Sequence, residues 1–137
     1  MGKTPRRAFG DDAEAFVCDW LKRNAFRVDA RNYATSSGEI DIIAYDKTDR
    51  TLCFIEVKAR SNENAGHPGE AITRGKIRKI ALTANQYIRA NKLDSAAAYR
   101  FDVALLERRA DGGLDLEYIR GAFGIQEAGF EGFHSVR

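Results

Sequence analysis

Apolar positions recur along this chain with two different periods, and the switches between them divide it into elements. From about Phe9 to Asn24, the residues Phe9, Ala13, Phe16, Val17, Trp20 and Leu21 fall on one side of a helix. Glu14 stands at the border of that side, one turn before Val17, so a carboxylate there looks inward from the helix edge. From Phe26 the period drops to two. Phe26–Tyr33 predicts a short strand, Ala34–Gly38 a turn and Glu39–Tyr45 a second, isoleucine-rich strand. Asp46–Arg50 predicts a polar turn and Thr51–Ala59 a third strand. Leu52, Phe54, Ile55 and Val57, with Cys53, put apolar groups on both faces of that strand, as in a central strand covered on two sides. Arg60–Gly69 is a polar loop. A long helix over Glu70–Asn91 carries the stripe Ile77, Ile80, Ala81, Ala84, Tyr87 and Ile88. Two more strands, Ala98–Glu107 and Leu114–Arg120, are joined by a turn at Asp111-Gly112-Gly113. Gly121–Arg137 mixes small residues with scattered aromatics and is expected to be a loosely docked tail.

The predicted order is αβββαββ, an α/β fold with a central mixed sheet of about five strands flanked by helices. Residues 1–120 form a single domain in this reading, and 121–137 the tail. Composition agrees: 44% hydrophobic residues supply a core and 31% charged residues a solvated surface. No apolar run approaches bilayer length, so no membrane partner is expected. The segment Met1–Arg7 is basic but has no apolar stretch behind it, unlike a secretory signal. Arg6 stands where a myristoylation motif has Ser or Thr. Cys18 and Cys53 lie inside apolar patterns with no CxxC, which reads as buried thiols in a reducing compartment; a cytoplasmic location is expected. The net charge of +2 says little about partners.

The segments Gly38-Glu39-Ile40-Asp41-Ile42-Ile43-Ala44 and Phe54-Ile55-Glu56-Val57-Lys58-Ala59-Arg60 carry the chemistry. Alternate strand residues share a face, so Glu56 and Lys58 point one way and Val57 the other. Leu52 and Phe54 share the face of Glu56, so this strand runs through a core and ends at a charged patch. Glu39 and Asp41 share a face of the neighbouring strand. Paired as a hairpin, the two strands bring Asp41 near Glu56. Two carboxylates and a lysine at the edge of an apolar layer are costly unless something uses them. A hard divalent cation such as Mg²⁺ or Mn²⁺ would, because it takes one or two carboxylates plus water and phosphate oxygens. Such an ion polarises a scissile phosphate and acidifies a bound water. Lys58 beside it would position the water or help deprotonate it. On these residues alone, an exposed strand-end ion pair, which contributes little, is an equal reading.

Asp41 followed by Glu56-Val57-Lys58 on the next strand resembles the active-site motif of the PD-(D/E)xK nuclease superfamily. Within it, the chain resembles the YraN-like family of bacterial proteins, related to archaeal Holliday-junction resolvases. The likeness runs from about Phe9 to Phe123. It rests on Gly10 with Glu14-Ala15, Arg31-Asn32, the two strand segments above, Glu70-Ala71 with Lys76, and Arg100-Phe101-Asp102-Val103. The resemblance implies a restriction-endonuclease-like fold and a Mg²⁺-dependent endonuclease acting on DNA, with junctions or flaps among its substrates. It implies Asp41 and Glu56 as metal ligands, the Val57 carbonyl as a third, and Lys58 as the catalytic lysine. Glu14 matches the additional acidic residue of resolvase-type members. A resolvase role would need two active sites, hence a homodimer. Ile40 stands where the superfamily motif has proline, and the residues after Phe123 have no counterpart.

Around this centre, Arg31, Arg60 and Lys76 are the expected nucleic-acid contacts, and Glu39 a supporting acid. Each has a plainer reading: Arg60 as a solvated arginine, Glu39 as a hairpin residue, Glu14 as a helix-surface carboxylate. Arg74, Lys76, Arg78 and Lys79 spread around most of the long helix, so several are surface charges; Lys76 borders the apolar stripe and is the one retained. His67 reads as a structural loop residue, and Arg100 with Asp102 as a buried pair supporting the sheet. No sequence-reading module such as a helix-turn-helix is visible, which favours structure-selective or non-specific recognition. The competing functions are a nucleic-acid-binding module with an idle site and a non-enzymatic interaction domain using Phe123, Phe130 and Phe133.

Overall fold

A computed structural model describes residues 5–60, 72–94 and 97–124, with residues 5–12 and 60 as backbone only. The order is α1 (Pro5–Arg23), β1 (Phe26–Thr35), β2 (Gly38–Asp46), β3 (Thr51–Arg60), α2 (Arg74–Ala90), β4 (Tyr99–Arg108) and β5 (Leu114–Phe123). The five strands form one sheet in sequence order, antiparallel except where β3 and β4 run parallel. A parallel pair needs a long crossover, and α2 lies within it. The expected αβββαββ mixed sheet with flanking helices is the fold found.

One helix covers each face. Ala13, Val17, Cys18 and Leu21 of α1 pack with Ile42, Ala44, Cys53, Ile55, Ala104 and Leu106. Ile80, Ala81, Ala84 and Ile88 of α2 pack with Ile40, Ile43, Phe54, Phe101 and Val103 on the other face. Val17 and Leu21 have no exposed surface, and burial of each contributes about 1.5–3 kcal/mol. Strand β3 sends Phe54 to one core and Ile55 to the other, the two-sided burial expected of a central strand. Gly38 allows β2 to approach α2 closely, since a Cβ there would lie 3.2 Å from Thr83 Oγ1 and 3.3 Å from the Lys79 Cβ.

Several element ends differ from expectation: α1 begins at Pro5 rather than near Phe9, and β1 runs on to Thr35 while β2 begins at Gly38, so the expected turn Ala34–Gly38 shrinks to Ser36 and Ser37. Helix α2 starts at Arg74, with Thr73 as its N-cap, whereas a start at Glu70 was expected; residues 61–71, including most of the predicted loop and His67, lie outside the described residues. Asp46 is not a plain turn residue: it is 1% exposed and accepts hydrogen bonds from the N–H groups of Thr48 and Asp49. Strand β5 continues three residues past the expected boundary at Arg120. Phe123 is buried against Phe101, ring centroids 5.0 Å apart, so the domain includes Gly121–Phe123. The remainder of the predicted tail, 125–137, lies outside the described residues.

Candidate active site

The site sits where β2 and β3 part. Their ladder pairs Ile42 with Ile55 and goes no further toward Asp41 and Glu56, while β3 stays paired with β4 out to Arg60 and Glu107. Freed from β2, the Val57 N–H donates instead to the Asp41 carboxylate at 2.8 Å. A side chain thus takes the place of the neighbouring strand's carbonyl. The alternation of β2 slips at this level: Ile43 and Ile40, three residues apart, pack on the α2 face, while Ile42 packs on the α1 face. Asn32, whose neighbours in β1 pair with Ile42 and Ile40, has φ 50°. Asp41 therefore stands in a fork of the sheet.

Strand parity on β3 is as expected. Val57 and Ala59 pack on the α1 side, and Glu56 and Lys58 point to the α2 side. The Glu56 side chain is 6% exposed and receives two ammonium groups on one oxygen. Lys58 Nζ lies 3.7 Å from its Oε2, and Lys76 Nζ makes direct contact with the same atom from the first turn of α2. The Glu56 charge lies close enough to act on the Asp41 carboxylate. Burial and the Glu56 charge push the Asp41 carboxyl up to about 7, against the opposing pull of the Val57 N–H. Burial, and then the neighbouring Lys76 ammonium, lowers Lys58 below an ordinary lysine. Burial alone would lower Lys76 too, but its contact with Glu56 outweighs that and raises it.

The other expected residues separate. Glu14 is close enough for its charge to raise Asp41 further, and it pairs with Arg31 at 3.6 Å on the α1 side. Arg31 therefore answers a carboxylate in this structure. Lys76, expected as a phosphate contact, reaches Glu56. Glu39 is exposed in the β1–β2 hairpin, in register with Ala34. Arg60 ends β3, with its side chain outside the described residues. Thr73, whose hydroxyl accepts the Lys76 N–H at 3.2 Å, was missed as the residue that fixes Lys76; a threonine just before a helical run is the signal that marks such a cap.

Among the described residues, no three or more acidic, His or Cys side chains gather as a metal cage. The donor set still fits a hard cation. Asp41 and Glu56 are neighbouring carboxylates whose mutual repulsion a cation relieves, and Mg²⁺ commonly takes one or two carboxylates and completes its shell with water or phosphate oxygens. Among the described residues no helix is long and apolar enough to cross a membrane.

Residues 13–106 match the profile described as Uncharacterised protein family UPF0102. A UPF0102 protein of Desulfosudis oleivorans is 42% identical over 118 residues, 86% of this chain and 91% of the relative. One of Vibrio parahaemolyticus is 34% identical over 122 residues, covering 89% and 97%, and one of Chlorobaculum tepidum 37% over 125 residues, covering 88% and 95%. The resemblance to the YraN-like family holds on these matches, and the chain belongs to UPF0102.

Proposed function

We propose that this protein is a nuclease that hydrolyses DNA phosphodiester bonds with Mg²⁺ or Mn²⁺ held by Asp41 and Glu56. The observation that carries the reading is the placement of two carboxylates at the fork of β2 and β3: the Val57 N–H holds Asp41 at 2.8 Å, and the preceding residue, Glu56, is close enough for its charge to act on Asp41 and has Lys58 3.7 Å away. An exposed strand-end ion pair, the plain alternative, does not account for a Glu56 side chain that is 6% exposed.

The ion, when bound, supplies polarisation of the scissile phosphate and a more acidic water. The chain supplies the rest. The Val57 N–H holds one Asp41 oxygen in place. The Lys58 Nζ, 3.7 Å from Glu56, is placed to position the attacking water and to face the charge that builds on the phosphate. The first turn of α2 contains no acidic residue, and Arg74, Arg78 and Lys79 are exposed on its first two turns to meet backbone phosphates. Contacts of that kind position a duplex without reading its sequence, in keeping with structure-selective or non-specific cleavage.

The test is cleavage of linear, flap and four-way DNA with Mg²⁺ or Mn²⁺, for the wild type against Glu56→Ala and Lys58→Ala. The wild type should cut in a metal-dependent way, with a loss of about 10²-fold or more in each variant. Absence of cleavage over the whole panel, or cleavage undiminished in Glu56→Ala, overturns the proposal.

A further inference from the structure

Lys58 reaches Glu56 along its own strand, but Lys76 arrives from a different element. Its backbone is fixed, because its N–H donates to Thr73 Oγ1 at the cap of α2. Its side chain is 40% exposed, while that of Glu56 is only 6% exposed. The ammonium can therefore exchange the carboxylate for solvent by rotation about its own side-chain bonds, with no change in the helix. Turned inward, it neutralises the carboxylate that would hold a divalent ion. Turned outward, it joins Arg74, Arg78 and Lys79 on the first two turns of α2, where a phosphate backbone has cations to meet.

We propose that Lys76 is the resident counter-ion of Glu56, displaced when a DNA phosphate draws it outward, so that nucleic acid and divalent cation load the site together. The inference rests on the nuclease reading above. Its physical content is a competition. One carboxylate oxygen cannot serve an ammonium and a divalent cation equally, and one ammonium cannot serve a buried carboxylate and a phosphate at once. Each ligand thus favours the other, and the coupling is reciprocal. Lys76 is in this account a positioning residue that acts through Glu56.

The test uses two titrations of the full chain, neither of which depends on cleavage. Mn²⁺ binding is measured without DNA, from the resonance of the free ion. Binding of labelled four-way DNA is measured by anisotropy in EDTA. The counter-ion role predicts opposite changes in Lys76→Gln: Mn²⁺ binds roughly tenfold tighter and DNA several-fold weaker, as expected for loss of one charge-assisted contact on each side. Lys76→Arg keeps the charge and should restore both toward wild type. A purely structural role would weaken both affinities or neither. Lys76→Gln binding Mn²⁺ no tighter than wild type overturns the proposal. Glu56→Gln separates the two ideas. If it abolishes Mn²⁺ binding while Lys76→Gln has no effect, the counter-ion falls and the nuclease reading stands. If neither wild type nor Lys76→Gln binds Mn²⁺, both fall.

Discussion

Two buried charge clusters lie on opposite faces of the same sheet, and they are built on opposite terms. Tyr99, Phe101 and Val103 belong to the α2-side core, so Arg100 and Asp102 between them face α1. Arg100 has no exposed surface, and each guanidinium nitrogen donates: Nε and Nη2 to Asp102 at 2.8 and 3.0 Å, Nη2 also to Asp46 at 3.0 Å, and Nη1 to Asp49 at 3.0 Å. Asp102 accepts further from the Tyr118 hydroxyl and the Gly121 N–H. In that cluster every guanidinium nitrogen has a carboxylate partner, and Arg120, 3.7 Å from Asp46, adds a second cation for the three carboxylates. On the other face, Asp41 lies within reach of the Glu56 charge, and two ammonium groups crowd one Glu56 oxygen. A buried cation with every donor engaged fixes a fold; a carboxylate oxygen shared by two partly exposed ammonium groups marks a place where an outside charge can compete.

The largest way to break the comparison is to remove the arginine. Arg100→Met leaves Asp102 buried without its cation and Asp46 with only the more distant Arg120, and should cost about 3–5 kcal/mol in urea denaturation. Glu56→Gln, which relieves Asp41 of a like charge, should stay within about 1 kcal/mol of wild type. Equal losses in the two variants would erase the distinction between strut and site.

A smaller effect is the sign of the pH dependence in EDTA. Burial would raise Asp46, but hydrogen bonds from the Asp49 N–H and from Arg100 hold it below the ordinary carboxylate range. Its folded value is depressed, so its stabilisation is present above about 3.8 and is lost as pH falls through the folded value. Asp41 runs the other way. Its folded value, about 7, exceeds the ordinary 3.8, so between these the fold binds more protons than the unfolded chain. Stability then declines as pH rises from 4 to 7 and levels off above. Asp41→Asn should abolish that decline, a difference on the order of 1–3 kcal/mol between pH 5 and 8 in urea midpoints. A variant that declines as steeply as wild type would remove Asp41 as its source.

Much of this contrast could be read from the chain, because parity and period are local. Alternation placed Glu56 and Lys58 on one face and Val57 on the other, and period-3.6 stripes found both helices. What stayed hidden depends on distant partners. Asp46 reads as a turn residue because nothing near it announces Arg100, 54 positions later. Gly121 and Ala122 read as tail because small residues carry little pattern, yet Phe123 stacks on Phe101 across the β4–β5 ladder. Lys76 could be placed at the border of its stripe, but only the β3–α2 packing decides that it meets Glu56. The fork itself is invisible locally, since a sequence shows which residues can pair and not where pairing stops.

The smallest effect concerns how firmly the fork holds its lysine. Thr73 closes the first turn of α2 twice: its hydroxyl accepts from Lys76 N–H, and its carbonyl accepts from Ile77 N–H at 3.0 Å. Thr73→Ala removes only the first of these and should cost about 1 kcal/mol, with Thr73→Ser restoring most of it. Amide hydrogen exchange tells the two bonds apart. The Lys76 amide should exchange faster in Thr73→Ala, while the Ile77 amide, whose acceptor is main chain, should change less. The Arg100 cluster touches no part of this turn, so the amide of Gly121, bonded to Asp102, should keep its protection. If Gly121 loosens together with Lys76, the two clusters belong to one cooperative unit, and their separation into strut and site is not energetic.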